Sequence, residues 1–105
     1  MDKELHELAK SIVAVQKEAA QQTLNYWKPE AENIIVSQSK DIDRIEHTLD
    51  ALCEVAFDEE VLKVFKSLCR YYYTIDPLAT AEQVDIYRKM WDNQDESDIQ
   101  RFGNG

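Results

Sequence analysis

The residues best suited to catalytic chemistry are acids and histidines at helical spacing. Asp43 lies four residues before His47 and three before Glu46, and Glu4 lies three before Glu7, so each pair shares one helical face. Such carboxylates could hold magnesium. Di-metal sites in helical bundles, however, use Glu-x-x-His pairs on two helices, and this chain has no Glu-x-x-His. We therefore predict a non-enzymatic protein with no metal, no cofactor and no catalytic residues.

Nucleophilic and nucleotide chemistry are equally poorly supported. Cys53 and Cys69 lie among apolar residues, where burial raises a thiol pKa and makes the sulfur inert. Helical pairing would offset them by about 10 Å, which is too far for a disulfide. Both glycines, Gly103 and Gly105, fall in the last three residues, which excludes glycine-rich phosphate loops from the body of the chain.

Charge points to protein binding instead. The 105 residues contain 21 acidic and 12 basic side chains and carry a net charge of −9, which argues against direct binding of nucleic acid. On the predicted second helix, four acids at three- and four-residue spacing form an acidic ridge, defined as Asp43, Glu46, Asp50 and Glu54. This ridge could steer a basic protein partner to the surface, or it could be an ordinary solvated face.

Aromatic residues supply possible anchors for that partner. Residues 71–73 are three consecutive tyrosines, which point about 100° apart on a helix, so one packing face cannot bury all three. Tyr72 continues the apolar face of Phe65, Leu68 and Cys69, which leaves Tyr71 or Tyr73 partly exposed beside Arg70. Tyr and Arg are common in binding hot spots. The candidate partner-binding residues are therefore Asp43, Glu46, Asp50, Glu54, Arg70, Tyr71 and Tyr73.

Two long helices are expected to position these residues. The first runs from about Asp2 to Tyr26 or Trp27, and Pro29 disfavours helical geometry just beyond it. The second runs from about Glu30 to Phe57, either as one helix, which we favour, or as two pieces parted near residues 37–40. The apolar stripe of the first helix, with steps of three and four throughout, is Leu5, Leu8, Ile12, Val15, Ala19, Gln22 and Tyr26.

Two shorter helices follow. Asp58 predicts the start of the third by its capping side chain, and that helix ends near Tyr73. The fourth starts either with Asp76 as its cap and Pro77 at its first position, or with a capping box from Thr80 to Gln83. Its expected buried side is Val84, Tyr87, Met90 and Trp91.

The elements predict an all-α fold: an antiparallel bundle of about four helices, two long followed by two shorter, with a polar C-terminal tail. We expect one helical domain over residues 1–92 and a flexible acidic tail over residues 93–105. No apolar run is long enough to span a bilayer and no secretory signal opens the chain, so we predict a cytoplasmic protein without a membrane segment.

These features favour a small acidic interaction protein that inhibits or adapts a basic partner. Its size, charge, helix content and tyrosine run followed by a proline before the last helix resemble those of immunity and inhibitor proteins that neutralise basic toxins. An acidic surface that imitates the phosphates of DNA is one form of this hypothesis. The alternative is a self-assembling protein, because the stripe from Leu5 to Tyr26 is longer than a short hairpin needs and could form a homodimer seam. A metal-dependent helical enzyme is a remote alternative.

Overall fold

The computed structural model describes residues 2–91, and the side chains of residue 5 and of residues 7–91. Within that range the chain is all helical and contains no strand. The four helices are α1 (Asp2–Ser37), α2 (Ile42–Cys53), α3 (Glu59–Tyr73) and α4 (Pro77–Trp91). The all-α class and the four helices are confirmed. The predicted tail, residues 93–105, and the side chains of Glu4 and His6 lie outside the described residues.

The expected helix lengths are wrong, because α1 continues through Pro29. It has 36 residues, whereas α2, α3 and α4 have 12, 15 and 15. One long helix is therefore followed by three short ones. Proline removes one backbone hydrogen bond from a helix interior. Here Pro29 is exposed, and α1 packs against the core on both sides of it, through the half-buried Leu24 and Trp27 before it and the buried Ala31 and Ile34 after it. Among residues 2–91, no helix is both long enough and apolar enough to cross a membrane.

The break between α1 and α2 falls at residues 38–41, so the two-piece alternative is the correct one. Gln38 has a φ of 54°, in the left-handed region, and terminates α1. The Gln38 N–H donates to the Ile35 carbonyl at 3.1 Å and the Ser39 N–H donates to the Ile34 carbonyl at 3.0 Å. These two bonds form a Schellman cap, in which glycine is the usual left-handed residue.

Aspartates cap the three helices that follow. The Asp41 side chain accepts from the Arg44 N–H, and Asp58 accepts from the Glu60 and Val61 N–H groups, as predicted for α3. Asp76 accepts from the Ala79 N–H at 3.0 Å, which decides between the two possible starts of α4. The alternative start at Thr80 is wrong, since the Thr80 hydroxyl donates to the Asp76 carbonyl from inside the helix.

The helices pack around α3, which contacts the other three. α1 and α2 are antiparallel, because Glu30 pairs with Arg44 and the Trp27 ring contacts the His47 ring one turn further from the connection. The principal buried side chains are Ala20, Ala31, Ile34, Ile45, Leu49, Leu52, Cys53, Val61, Phe65, Leu68, Cys69 and Tyr72. The core residues of α2 and α3 recur mainly at three- and four-residue spacing, as expected for one buried face of each helix.

The buried side of α4 differs from the prediction. Thr80 and Gln83 are buried, Val84 and Tyr87 are half-buried, and Met90 is 46% exposed. Two polar residues at three-residue spacing, Thr80 and Gln83, thus occupy the most buried face of α4. Trp91 also remains 38% exposed, but its indole N–H donates to the Cys53 carbonyl at 2.7 Å.

Candidate protein-binding surfaces

The acidic ridge of α2 is only partly available for a partner. Asp43, Asp50 and Glu54 are exposed. Glu46 is half-buried, and its carboxylate accepts a 2.6 Å hydrogen bond from the hydroxyl of Tyr72, which is fully buried. This bond fastens α2 to α3, so the structure gives Glu46 a role in packing. Three carboxylates of the ridge remain directed to solvent.

The tyrosine run divides as the helical geometry predicted. Tyr72 is buried, Tyr71 is half-buried and Tyr73 is 61% exposed. The Tyr71 hydroxyl donates to the Ser39 carbonyl at 2.7 Å and so secures the connection before α2. Burial and the hydrogen bond to Glu46 raise the pKa of Tyr72. Of the three rings, only that of Tyr73 is largely free to contact a partner.

Arg70 lies apart from the acidic ridge. It is exposed on α3 and, with Lys66 of the same helix, lines a shallow groove whose other wall is formed by Val84 and Tyr87 of α4. Lys63 continues this row of exposed basic residues toward the start of α3. The predicted partner-binding residues are therefore not one patch: three acids lie on α2, and Arg70 lies beside α4.

The two cysteines are packing residues. Cys53 and Cys69 are buried and free. Burial raises the pKa of the Cys53 thiol, and it raises that of Cys69 to about 12. A thiol that stays protonated at neutral pH is a poor nucleophile.

Among residues 2–91, no three Cys, His, Asp or Glu side chains come together as metal ligands. His47, which the sequence paired with Asp43, is exposed and stacks edge-on against the Trp27 ring at 5.4 Å between centroids. The His47 imidazole thus packs against the Trp27 indole.

The first half of α1, residues 5–18, exposes a row of apolar side chains, and we call this segment the arm. Every residue of the arm whose side chain is described is exposed. Leu5 and Val15 are each 64% exposed, Leu8 is 59% and Ile12 is 52%. These four residues form the first two heptads of the stripe seen in the sequence, and no described residue covers them. The sequence identified the stripe, but not that it would lie outside the chain's own core.

The arm projects because the other helices are too short to accompany it. The pairs Glu30 with Arg44 and Trp27 with His47 set the antiparallel register of α1 and α2. In that register Cys53, the last residue of α2, lies near the level of Ala20, which is the first buried residue of α1. The arm, residues 5–18, therefore extends past the end of the bundle, over about 20 Å at 1.5 Å per residue.

Comparison of the chain with models of protein families, with curated proteins and with solved structures found no match. The exposed surfaces are therefore the basis for a proposal about function.

Proposed function

We propose that this protein is a non-enzymatic protein-interaction module that docks through its arm. The observation that carries the proposal is the exposed stripe of Leu5, Leu8, Ile12 and Val15 on a helix that extends past the bundle. Large contiguous apolar surface on a soluble domain is typical of a binding site. An amphipathic helix that presents such residues at three- and four-residue spacing is a common docking element.

Energetics support this role for the arm. Complete burial of one Leu, Ile or Val side chain stabilises a complex by about 1.5–3 kcal/mol relative to leaving it in water. The four stripe side chains on the arm are each at least half exposed, so most of that free energy is available only to a partner. The part of α1 that packs in the bundle buries mainly Ala20, Ala31 and Ile34 and gains nothing from the arm.

Charge indicates how the arm would recognise its partner. The arm contains two acids, Glu7 and Glu18, and two bases, Lys10 and Lys17, and is therefore neutral. Its contact with a partner depends on apolar burial and helix geometry, and added salt should weaken it little.

A second candidate function is the inhibition or adaptation of a basic partner by the acidic ridge. The exposed carboxylates of Asp43, Asp50 and Glu54 favour it, as does the net charge of −9. Such a partner would be steered by charge, and moderate salt would weaken its binding. An immunity-like inhibitor, an adaptor and a mimic of DNA phosphates all belong to this class. Two free cysteines suit a reducing compartment such as the cytoplasm.

Affinity capture with matched variants tests both functions. The full chain is tagged and incubated with host lysate at low salt and at about 0.5 M salt, where the Debye length is only a few Å. Ile12→Glu places a charge on the stripe, Ala14→Glu places the same charge on the opposite face of the arm, and Asp43→Asn with Asp50→Asn reduces the ridge.

We expect Ile12→Glu to abolish capture of a specific set of proteins that Ala14→Glu retains and that resists salt. Identical capture by wild type and Ile12→Glu would contradict a docking role for the arm. Capture of a basic protein that is lost in the Asn variants and at high salt would favour the second candidate.

A further inference from the structure

We propose that the partner of the arm is a second copy of this chain, and that the two α1 helices pair antiparallel along the stripe from Leu5 to Tyr26. This proposal rests on the proposed function, in which the arm is a docking element. The stripe continues from the arm through Ala19, which is half-buried, to Gln22 and Tyr26, which are exposed. It therefore passes along the outer side of the bundle and offers just over three heptads to a second helix.

The distribution of charge favours a second copy of this chain as the partner. Residues 1–28 contain four acids and four bases, so the entire net charge of −9 lies after residue 28. Two copies that meet along the first part of α1 therefore bring no net charge together, whereas contact through the remainder of each chain would bring two strongly acidic regions together. A twofold dimer uses the same patch on both subunits, and the neutral apolar stripe is a patch that two acidic copies can share.

The same charges favour an antiparallel orientation of the two α1 helices. A parallel pair would place two acidic bundles side by side, within the Debye length of about 8 Å at physiological salt. In the antiparallel pair the bundles lie at opposite ends of the seam. Leu8 then lies opposite Ala19 of the partner subunit, so about 17 Å of helix separates the levels at which the bundles begin. Repulsion between the bundles is largely screened at that separation.

Side-chain volumes also fit the antiparallel register. When Leu8 faces Ala19 of the partner subunit, Ile12 faces Val15 of the partner subunit and Leu5 faces Gln22 of the partner subunit. Leu8 and Ile12 thus each meet a smaller apolar residue, which helps the two helices to interdigitate in the middle of the seam. Of the described exposed positions that flank the seam, Ala9, Ser11, Gln16, Glu18 and Asn25, only Glu18 is charged, so no like charges are forced together among them.

Residues 92–105 are the competing occupant within the chain. They follow Trp91, which contacts Cys53 at the end of the bundle from which the arm leaves. This segment contains four acids and one base, and its only apolar side chains are Ile99 and Phe102. Two apolar residues cannot match the stripe position by position, whereas a second α1 does so by symmetry.

Sedimentation equilibrium of the full chain at physiological salt tests the dimer. We expect the average mass to rise with concentration from 12.3 kDa to twice that value. Ile12→Glu should raise the dimer dissociation constant by about 100-fold or more, because each dimer would then bury two unpaired carboxylates. Ala14→Glu, which adds the same charge on the outer face, should dimerise like wild type. Both variants should keep the wild-type circular dichroism, since the arm is exposed in the monomer.

Disulfide trapping tests the orientation. We expect a mixture of Leu8→Cys and Ala19→Cys chains to form a cross-linked heterodimer, while Leu8→Cys alone does not cross-link. The native cysteines are buried, with raised thiol pKa values, and should react slowly by comparison. Rapid cross-linking of Leu8→Cys with itself would overturn the antiparallel arrangement in favour of a parallel one.

Failure of this inference is distinct from failure of the proposed function. A monomer at every concentration would overturn the second copy as occupant. If a chain ending at Trp91 then dimerised, the stripe would belong to residues 92–105. If Ile12→Glu still abolished capture from lysate, the arm would remain a docking element for a different protein.

Discussion

The two halves of α1 are both amphipathic, yet one half packs in the core and the other is exposed. The second half, residues 19–37, buries two alanines and an isoleucine: Ala20, Ala31 and Ile34. The first half carries Leu5, Leu8, Ile12 and Val15, and leaves every one of them at least half exposed. The larger apolar side chains thus lie outside the core, which indicates that the arm is suited to contacts between molecules and the second half to close packing within one.

The largest expected effect comes from truncating one side chain in each region. Leu49→Ala in the core should lower the free energy of unfolding by about 2–5 kcal/mol, because it removes buried methyl groups and leaves a cavity. Ile12→Ala on the arm should change it by less than about 0.5 kcal/mol in dilute solution. Urea denaturation of both variants at low protein concentration measures the difference. Similar losses for the two variants would mean that the arm is packed in the monomer.

Alkaline pH should lower the free energy of unfolding of the bundle. Cys69 and Tyr72 have raised pKa values when folded, whereas the unfolded thiol and phenol titrate near 9.0 and 10.0. Above those values the unfolded chain loses protons that the folded chain keeps, so stability is intact at neutral pH and falls as pH rises. The slope approaches about 1.4 kcal/mol per pH unit for each group.

Denaturation midpoints between pH 8 and pH 11 measure this slope. Tyr72→Phe should lower stability at neutral pH by about 2 kcal/mol, because Glu46 loses its buried donor, and should reduce the alkaline slope. The exposed Tyr73→Phe is the matched control and should change neither quantity much. An equal alkaline slope in wild type and Tyr72→Phe would contradict the role given to this hydroxyl.

The smallest effect concerns the residue that ends α1. Gln38→Gly should stabilise the fold by about 1 kcal/mol, since a left-handed conformation is costly for any residue with a Cβ atom. The same substitution at Gln22, inside the helix, should cost about 1 kcal/mol. Thermal unfolding of the two variants compares them directly. A loss at both positions would show that residue 38 does not adopt the left-handed cap.

Helix starts were predictable where a local side chain determines them. Asp58 marked the start of α3 by its capping carboxylate, and Asp76 with Pro77 was one of two possible starts for α4. The C-terminal end of α1 was not predictable in this way. Pro29 is a helix breaker locally, but packing on both sides keeps it in α1, and Gln38 is not a residue that ordinarily signals a left-handed cap.

The binding surface was predictable only in part. The spacing of the stripe, the acids of α2 and the exposure of Tyr73 follow from periodicity. Whether the stripe lies in the core depends on the lengths and register of the other helices. The hydrophobic pattern of one helix does not determine those lengths or that register. The hydrogen bond from Tyr72 to Glu46 likewise joins residues 26 apart in the chain, and no local sequence pattern predicts it.

Hydrogen exchange of the full chain at low and high concentration tests the central claim, that the arm is a surface for a second copy. We expect the backbone amides of residues 9–18 to exchange fast in dilute solution and to become protected at high concentration. Amides of α2 and α3 should be protected equally at both concentrations. Protection of the arm that is already complete in dilute solution, or that never appears at high concentration, would contradict the claim.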